Sequence, residues 1–210
     1  MMRVEMPLRA WLCLLPLVSC VSLRGQVIEF ESGGLKYQTL SRSGLTVMFA
    51  PLPLNVRHYA VIQVAVSNGA AKPVTVHPED FVFERQPGSA VRADSAERVV
   101  GDLLERGGRE DVVKLVSTYE TGLYGIVRFR STNGYEQRRQ SALAEVASTK
   151  LKAAAAASAI AFVETQLRSG QSTDGAVFFP SDGRPLGSGK LKFRAGGLYF
   201  EFPVESLPTP

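Results

Sequence analysis

Cysteine is almost absent from this chain. Of its 210 residues only Cys13 and Cys20 are cysteine, and both lie near the N-terminus. The remainder of the chain can therefore form no internal disulfide, and it has no thiolate to ligate zinc or to carry redox chemistry.

Histidine is equally scarce, and this limits metal chemistry. The only histidines are His58 and His77, which lack the i, i+4 spacing of a helical metal site, and each is predicted to flank a strand in contact with solvent. The acidic residues Glu79, Asp80 and Glu84 lack the loop spacing of a calcium site. We therefore assign no metal-ligating residue.

Motifs for catalysis and for phosphate binding are also missing. No Gly-x-Ser-x-Gly elbow occurs, and Ser172, which stands close to Asp174, is interpreted as part of a turn that follows a helix. Residues 187–190 resemble a phosphate-binding loop, but they lack the earlier glycine and the Ser or Thr that should follow the lysine, so we interpret them as a hairpin loop. We assign no catalytic residue, no cofactor-binding residue and no cofactor.

The charge balance is mild and long apolar runs are few. A formal net charge of +4 is too small to indicate a basic nucleic-acid footprint, so we expect no nucleic-acid partner. Beyond the N-terminal region the longest apolar stretch, residues 153–163, has about half of the roughly 20 residues that a membrane-spanning helix needs.

The N-terminal region has the three-part layout of a secretory signal. Arg3 and Arg9 provide a basic segment, residues 10–18 form an apolar run, and small residues follow at 19–22. The apolar run is too short to span a bilayer. The sequence therefore predicts a signal peptide over residues 1–22, which is excluded from the fold, and an extracytoplasmic location.

The end of this signal can be interpreted in two ways. Residues 17–20 resemble a bacterial lipobox, in which the cysteine is lipidated and becomes the mature N-terminus, so Cys20 is the predicted lipidation site. Ordinary cleavage after Cys20 or Ser22, or an uncleaved anchor, is the alternative. The mature protein would be a membrane-anchored lipoprotein in the first case and secreted or periplasmic in the second.

The hydrophobic period switches twice along the rest of the chain. Residues 27–92 alternate in the manner of short strands, with the best strand at 58–67 predicted to be buried on both faces, and with Pro51 and Pro53 ending the strand before it. Residues 93–172 have a helical period, with Asp94 or Ser95 as an N-cap and one long, alanine-rich helix over 135–168. Residues 173–204 return to strands, and 205–210 form a tail.

These segments predict an α+β fold. Neither stretch of strands has enough apolar face to bury alone, so we expect 27–92 and 173–204 to pair in one antiparallel β-sandwich that is interrupted by a long helical insertion. Phe179 and Phe193 should lie in its core, whereas Tyr199 and Glu201 should be more exposed.

Part of the chain resembles the secreted immunoglobulin-like domains of bacterial lipoproteins. The family's pattern is a strand, an asparagine, a turn, a second strand and the sequence Pro-x-Asp-Phe. This chain has a similar order in strand 59–67, Asn68, residues 72–76 and Pro78-Glu79-Asp80-Phe81. Residues 175–180 are similar to a late strand of the same domains. The resemblance implies an immunoglobulin-like sandwich and includes no catalytic residues. That group is largely of unknown function, and a fold alone does not give a function.

From these observations we expect an exported, envelope-associated protein that is a non-enzymatic interaction or structural module. Its partners would be another envelope protein and, through a lipid anchor, the membrane. The alternative is a small-ligand-binding or hydrolytic protein with a site between the sandwich and the helical insertion. The insertion itself either packs on the sandwich through its alanine stripe or projects as an interaction arm.

Overall fold

The structure, a computed structural model, describes residues 25–86, 88–111, 113–115 and 148–205. The predicted signal peptide with Cys20, the first part of the predicted long helix and the last five residues lie outside the described residues. The strands are β1 (Ile28–Ser32), β2 (Leu35–Arg42), β3 (Leu45–Val56), β4 (Tyr59–Asn68), β5 (Val74–Val76), β6 (Phe81–Arg85), β7 (Ala90–Arg92), β8 (Thr165–Leu167), β9 (Gln171–Pro180), β10 (Gly189–Ala195) and β11 (Leu198–Val204). The helices are α1 (Ala96–Arg106) and α2 (Thr149–Ile160), with a 3-10 turn at Pro78–Asp80 and further helical residues at 109–111 and 113–115.

The strands form antiparallel sheets. The first sheet has the order β1-β2-β3-β4-β9, the second sheet has the order β11-β10-β6-β7, and β5 pairs with β8 beside them. The chain passes from the first sheet to the second between β4 and β6, returns between β7 and β9, and passes to the second again between β9 and β10. The result is a sandwich-like arrangement of the first and second sheets.

Segments that are far apart in the chain pair along their whole lengths. β4 pairs with β9 from Tyr59 opposite Pro180 to Asn68 opposite Gln171, and β6 pairs with β10. The prediction that strands on both sides of residues 93–172 join in one body is confirmed.

The two larger sheets enclose a core rich in phenylalanine. Phe81 stacks on Phe193 with ring centroids 4.2 Å apart, and Phe49 meets Phe202 edge to face at 5.0 Å. Phe179 and Phe193 are buried, as predicted, and Tyr199 is exposed. Fully burying such side chains contributes roughly 1.5–3 kcal/mol each, so this core is a main source of stability.

The helices cover the opposite face of the first sheet. Val99 and Leu103 of α1 and the alanines of α2 form a second core with Tyr59, Val61 and Phe178. The alanines permit a close approach, since a Cβ added at Gly107 would lie 2.7 Å from that of Ala153. The prediction that β4 is buried on both faces is confirmed, and the alanine stripe of α2 packs inside the protein.

The predicted long helix ends earlier than the sequence indicates. α2 stops at Ile160, and β8 occupies residues that the prediction placed in the helix. The backbone N–H of Phe162 donates to the carbonyl oxygen of Ala176 at 2.8 Å, and β8 pairs with β5. These strand contacts with distant residues outweigh the high local helix propensity. The start of the predicted helix, at 135–147, lies outside the described residues.

Two smaller predictions were wrong. β3 does not end at Pro51 but runs on to Val56, with an irregular register between Pro51 and Asn55 where a proline needs no ladder hydrogen bond. Ser172 lies inside β9 and pairs with Ser67, so it belongs to a strand rather than a turn. α1, in contrast, has the predicted cap, because the Ser95 hydroxyl accepts a hydrogen bond from Arg98 N.

Candidate binding surfaces

The residues whose pattern resembles that of lipoprotein domains have structural roles in this fold. Asn68 is fully buried, and its side-chain amide donates to the carbonyl oxygens of Lys72 at 2.9 Å and Leu167 at 3.0 Å. Its carbonyl oxygen accepts from Ala70 N at 2.9 Å. The asparagine therefore fixes the chain after β4 and ties it to β8, which explains the pattern without a ligand.

Asp80 also stabilises a turn. Its carboxylate accepts a hydrogen bond from His77 N at 3.0 Å, which caps the 3-10 turn before β6. The Pro-x-Asp-Phe sequence therefore sets the corner at which the chain enters the second sheet.

The two histidines flank strands and contact solvent, as predicted. His58 Nδ1 lies 3.6 Å from Asp102 Oδ2, and His77 Nδ1 lies 3.6 Å from Glu164 Oε2. Among the described residues, no three His, Cys, Asp or Glu side chains are grouped closely enough to hold a metal ion.

Buried hydroxyls lie beneath the helices. Tyr37 donates to Gln63 Oε1 at 3.0 Å, and burial raises the pKa of Tyr37 to about 12. Tyr59 donates to Asp94 Oδ2 at 3.2 Å, and burial together with that carboxylate raises the pKa of Tyr59. Both hydroxyls therefore donate hydrogen bonds inside the protein, which suits them for positioning the elements around them.

The outer face of the second sheet carries a regular set of charged side chains. Alternation along the strands directs one set of side chains to the core and the other to solvent, and the solvent set lies side by side because of the register. The charged members are Glu84, Arg92, Lys190, Lys192, Arg194 and Glu201. Four basic side chains against two acidic ones give this outer face a positive balance.

Ion pairs hold the centre of the outer face. Lys190 Nζ contacts Glu201 Oε1 at 2.7 Å, and Lys192 contacts Glu84. The hydrogen bond from Lys190 holds the pKa of Glu201 below its ordinary value, while the bond to Glu201 raises the pKa of Lys190. These pairs fix the orientation of long side chains on an otherwise solvated sheet.

Two arginines of the outer face lie away from its ion-paired centre, Arg92 at the end of the edge strand β7 and Arg194 near the end of β10. Arg92 and Arg194 are exposed, and neither has an ion pair within the described ranges. Guanidinium groups of this kind bind carboxylates in a planar, bidentate geometry. The outer face can therefore contact an acidic surface without breaking its internal pairs.

A polar cleft lies at the other side of the molecule, between the first sheet and the helical residues that follow α1. It has a volume of about 530 Å³, and β3, the β3–β4 turn, helical residues that follow α1 and the loop after β9 line it. The lining residues are Pro53, Asn55, Arg57, Glu110, Asp111, Lys114 and Gly183.

Arg57 holds the elements of the cleft together. Its Nε lies 2.9 Å from Asp111 Oδ2, and its Nη2 donates to the carbonyl oxygen of Arg106. Asp111 also accepts from Gly108 N at 2.7 Å, so a nearly buried carboxylate is satisfied from two sides. Arg57 has φ of +57°, a left-handed conformation that costs a non-glycine residue about 1–2 kcal/mol.

The sequence could indicate the outer face of the second sheet but not the cleft. The alternation of Lys190, Lys192 and Arg194 with apolar residues predicts a polar strand face. The cleft, in contrast, combines residues from three distant parts of the chain, and no local pattern marks them.

No protein-family model, no curated protein and no solved structure matches this chain. Within the described part of the chain, no helix has the length and apolar content of a membrane span.

Proposed function

We propose that this protein is an exported, envelope-associated interaction module that is lipidated at Cys20 and binds an acidic surface of another envelope protein. The outer face of the second sheet is the observation that carries the proposal. It presents Arg92 and Arg194 to solvent around a centre that is already ion-paired. Complementary charge of this kind gives specificity and a faster association rate.

The strand order supports an immunoglobulin-like assignment of the sandwich. Such domains place strands A, B and E in one sheet and C′, C, F and G in the other. The order β3-β4-β9 facing β7-β6-β10-β11 follows this arrangement, with β1 and β2 as additions next to β3. α1 and α2 lie in the connection between C′ and E, so the helical insertion would replace strand D.

The packing of the helices argues against the alanine stripe as the binding surface. Most apolar residues of α1 and α2 are buried against the first sheet, while Leu104 and Leu151 are exposed. A partner would therefore meet the sandwich rather than the alanine stripe of α2. The predicted signal peptide and lipobox support the location, since they would deliver the domain to the outside of a membrane and tether it there.

Capture from a detergent extract of the native envelope tests the binding proposal. The bait would be the mature protein, compared with the double variant Arg92→Glu, Arg194→Glu and with a matched control, Lys150→Glu, Lys152→Glu, on exposed positions of α2. We expect the wild type and the control to retain the same partner and the outer-face variant to lose it. We also expect capture to weaken with added salt. Equal capture by all three baits would contradict the proposal.

A further inference from the structure

The cleft beside Arg57 has the dimensions of a small-molecule site. Its volume of about 530 Å³ lies within the roughly 300–1,000 Å³ that is usual for ligand pockets. Charged and amide side chains supply most of its lining, and Glu110 and Lys114 at its helical wall are exposed. A cleft of this composition suits a small, polar ligand.

The charges in the cleft divide into a closed pair and an open pair. Arg57 and Asp111 neutralise each other in a direct ion pair. Glu110 and Lys114 have no ion pair within the described structure, and both line the cleft. As far as the described residues show, the cleft therefore offers one acidic and one basic side chain that no ion pair occupies.

We propose that this cleft binds a small zwitterion, a molecule that carries an ammonium group and a carboxylate a few bonds apart, such as an amino acid or a dipeptide. The ligand's ammonium would face Glu110, and its carboxylate would face Lys114. Arg57 assists on the carboxylate side, because a guanidinium has five N–H donors and two of its nitrogens are held by Asp111 and Arg106.

The neighbouring groups keep the cleft in shape. Asn55 Nδ2 donates to the carbonyl oxygen of Gly183 at 2.8 Å, which links the β3 wall to the loop after β9. Asp111 links the helical wall to the β3–β4 turn through Arg57. A zwitterion can contact Glu110 and Lys114 at once, so it should bind more tightly than a ligand with a single charge.

Calorimetric titration of the mature protein tests this inference. The probes are L-alanine, D-alanine and the dipeptide Ala-Ala, with propionate and propylamine as analogues that keep one charge each. We expect at least one zwitterion to bind, and both singly charged analogues to bind at least about tenfold more weakly. Absence of binding by all three zwitterions, or equal binding of propionate, overturns the inference.

Substitutions of Glu110 and Lys114 provide a second test of the inference. Glu110→Gln and Lys114→Met should each weaken zwitterion binding by about tenfold or more, with unchanged thermal unfolding, because both positions are exposed. Arg109→Gln, on the same helical stretch but outside the lining, is the matched control and should bind as the wild type does. Binding that is insensitive to both variants overturns the assignment. Because the cleft and the outer face of the second sheet share no residue, failure of one proposal leaves the other standing.

Discussion

Single side chains connect parts of this chain that are far apart in the sequence. Asn68 connects the end of β4 to β8 through buried hydrogen bonds, and Arg57 connects the β3–β4 turn to the residues after α1. A sequence shows that asparagine and glycine favour a turn after β4, but it does not show that Leu167 supplies an acceptor. Likewise, nothing in the sequence around Arg57 indicates a left-handed backbone or an aspartate partner more than 50 residues away.

Glu201 gives a prediction at this scale. Since Lys190 lowers the pKa of Glu201, the pair stabilises the fold at neutral pH, and its contribution is lost as the pH falls through the lowered pKa. Lys190, with a raised pKa, loses its part as the pH rises through that value. We expect Lys190→Met to move the pKa of Glu201 up towards its ordinary value, measured by NMR titration of the carboxyl carbon. Lys36→Met, on the first sheet, is the control, and an unchanged pKa in Lys190→Met would contradict the assignment.

Among the elements, strands were easier to predict than the end of a helix. Alternation indicated the β10–β11 hairpin, of which one face is buried, and a nearly continuous apolar run indicated β4, which is buried on both faces. The sequence did not predict β8, because its residues are also compatible with a helix and their strand partners in β5 lie about 90 residues earlier. Secondary-structure propensity depends on neighbouring residues, so it cannot indicate a contact between residues that far apart in the chain.

The helix α2 tests whether the helical layer is integral to the protein. Ala157 is fully buried in the second core, whereas Ser158 is exposed on the same helix. Ala157→Glu would bury an unpaired carboxylate, and we expect it to lower the free energy of unfolding by about 3–5 kcal/mol or to prevent folding. Ser158→Glu, the neighbouring control, should change it by less than about 1 kcal/mol. Denaturation followed by circular dichroism measures both, and equal stability of the two variants would show that the helix does not pack on the sheet.

At the scale of the whole molecule, the described part of the chain is layered, with the first sheet in the middle. Its β4 and β9 contact the phenylalanine core on one face and the helices on the other. The helices are therefore a third layer that covers Tyr59, Val61 and Phe178, and the two candidate binding surfaces are the outer face of the second sheet and the cleft beside Arg57. Only the first of these follows from the alternation of the sequence.

Export to the envelope is the claim on which the proposed function depends. Mass spectrometry of the protein purified from its native membranes tests export and lipidation directly, because the mass of the N-terminal peptide reports both cleavage and acylation. We expect a mature chain that begins at Cys20 and carries acyl groups, since multiple acyl chains are needed for a stable membrane anchor. An unmodified N-terminus just after Cys20 or Ser22 would remove the anchor and leave export intact. A full-length chain that still begins at Met1 and is found in the cytosol would contradict the proposed function.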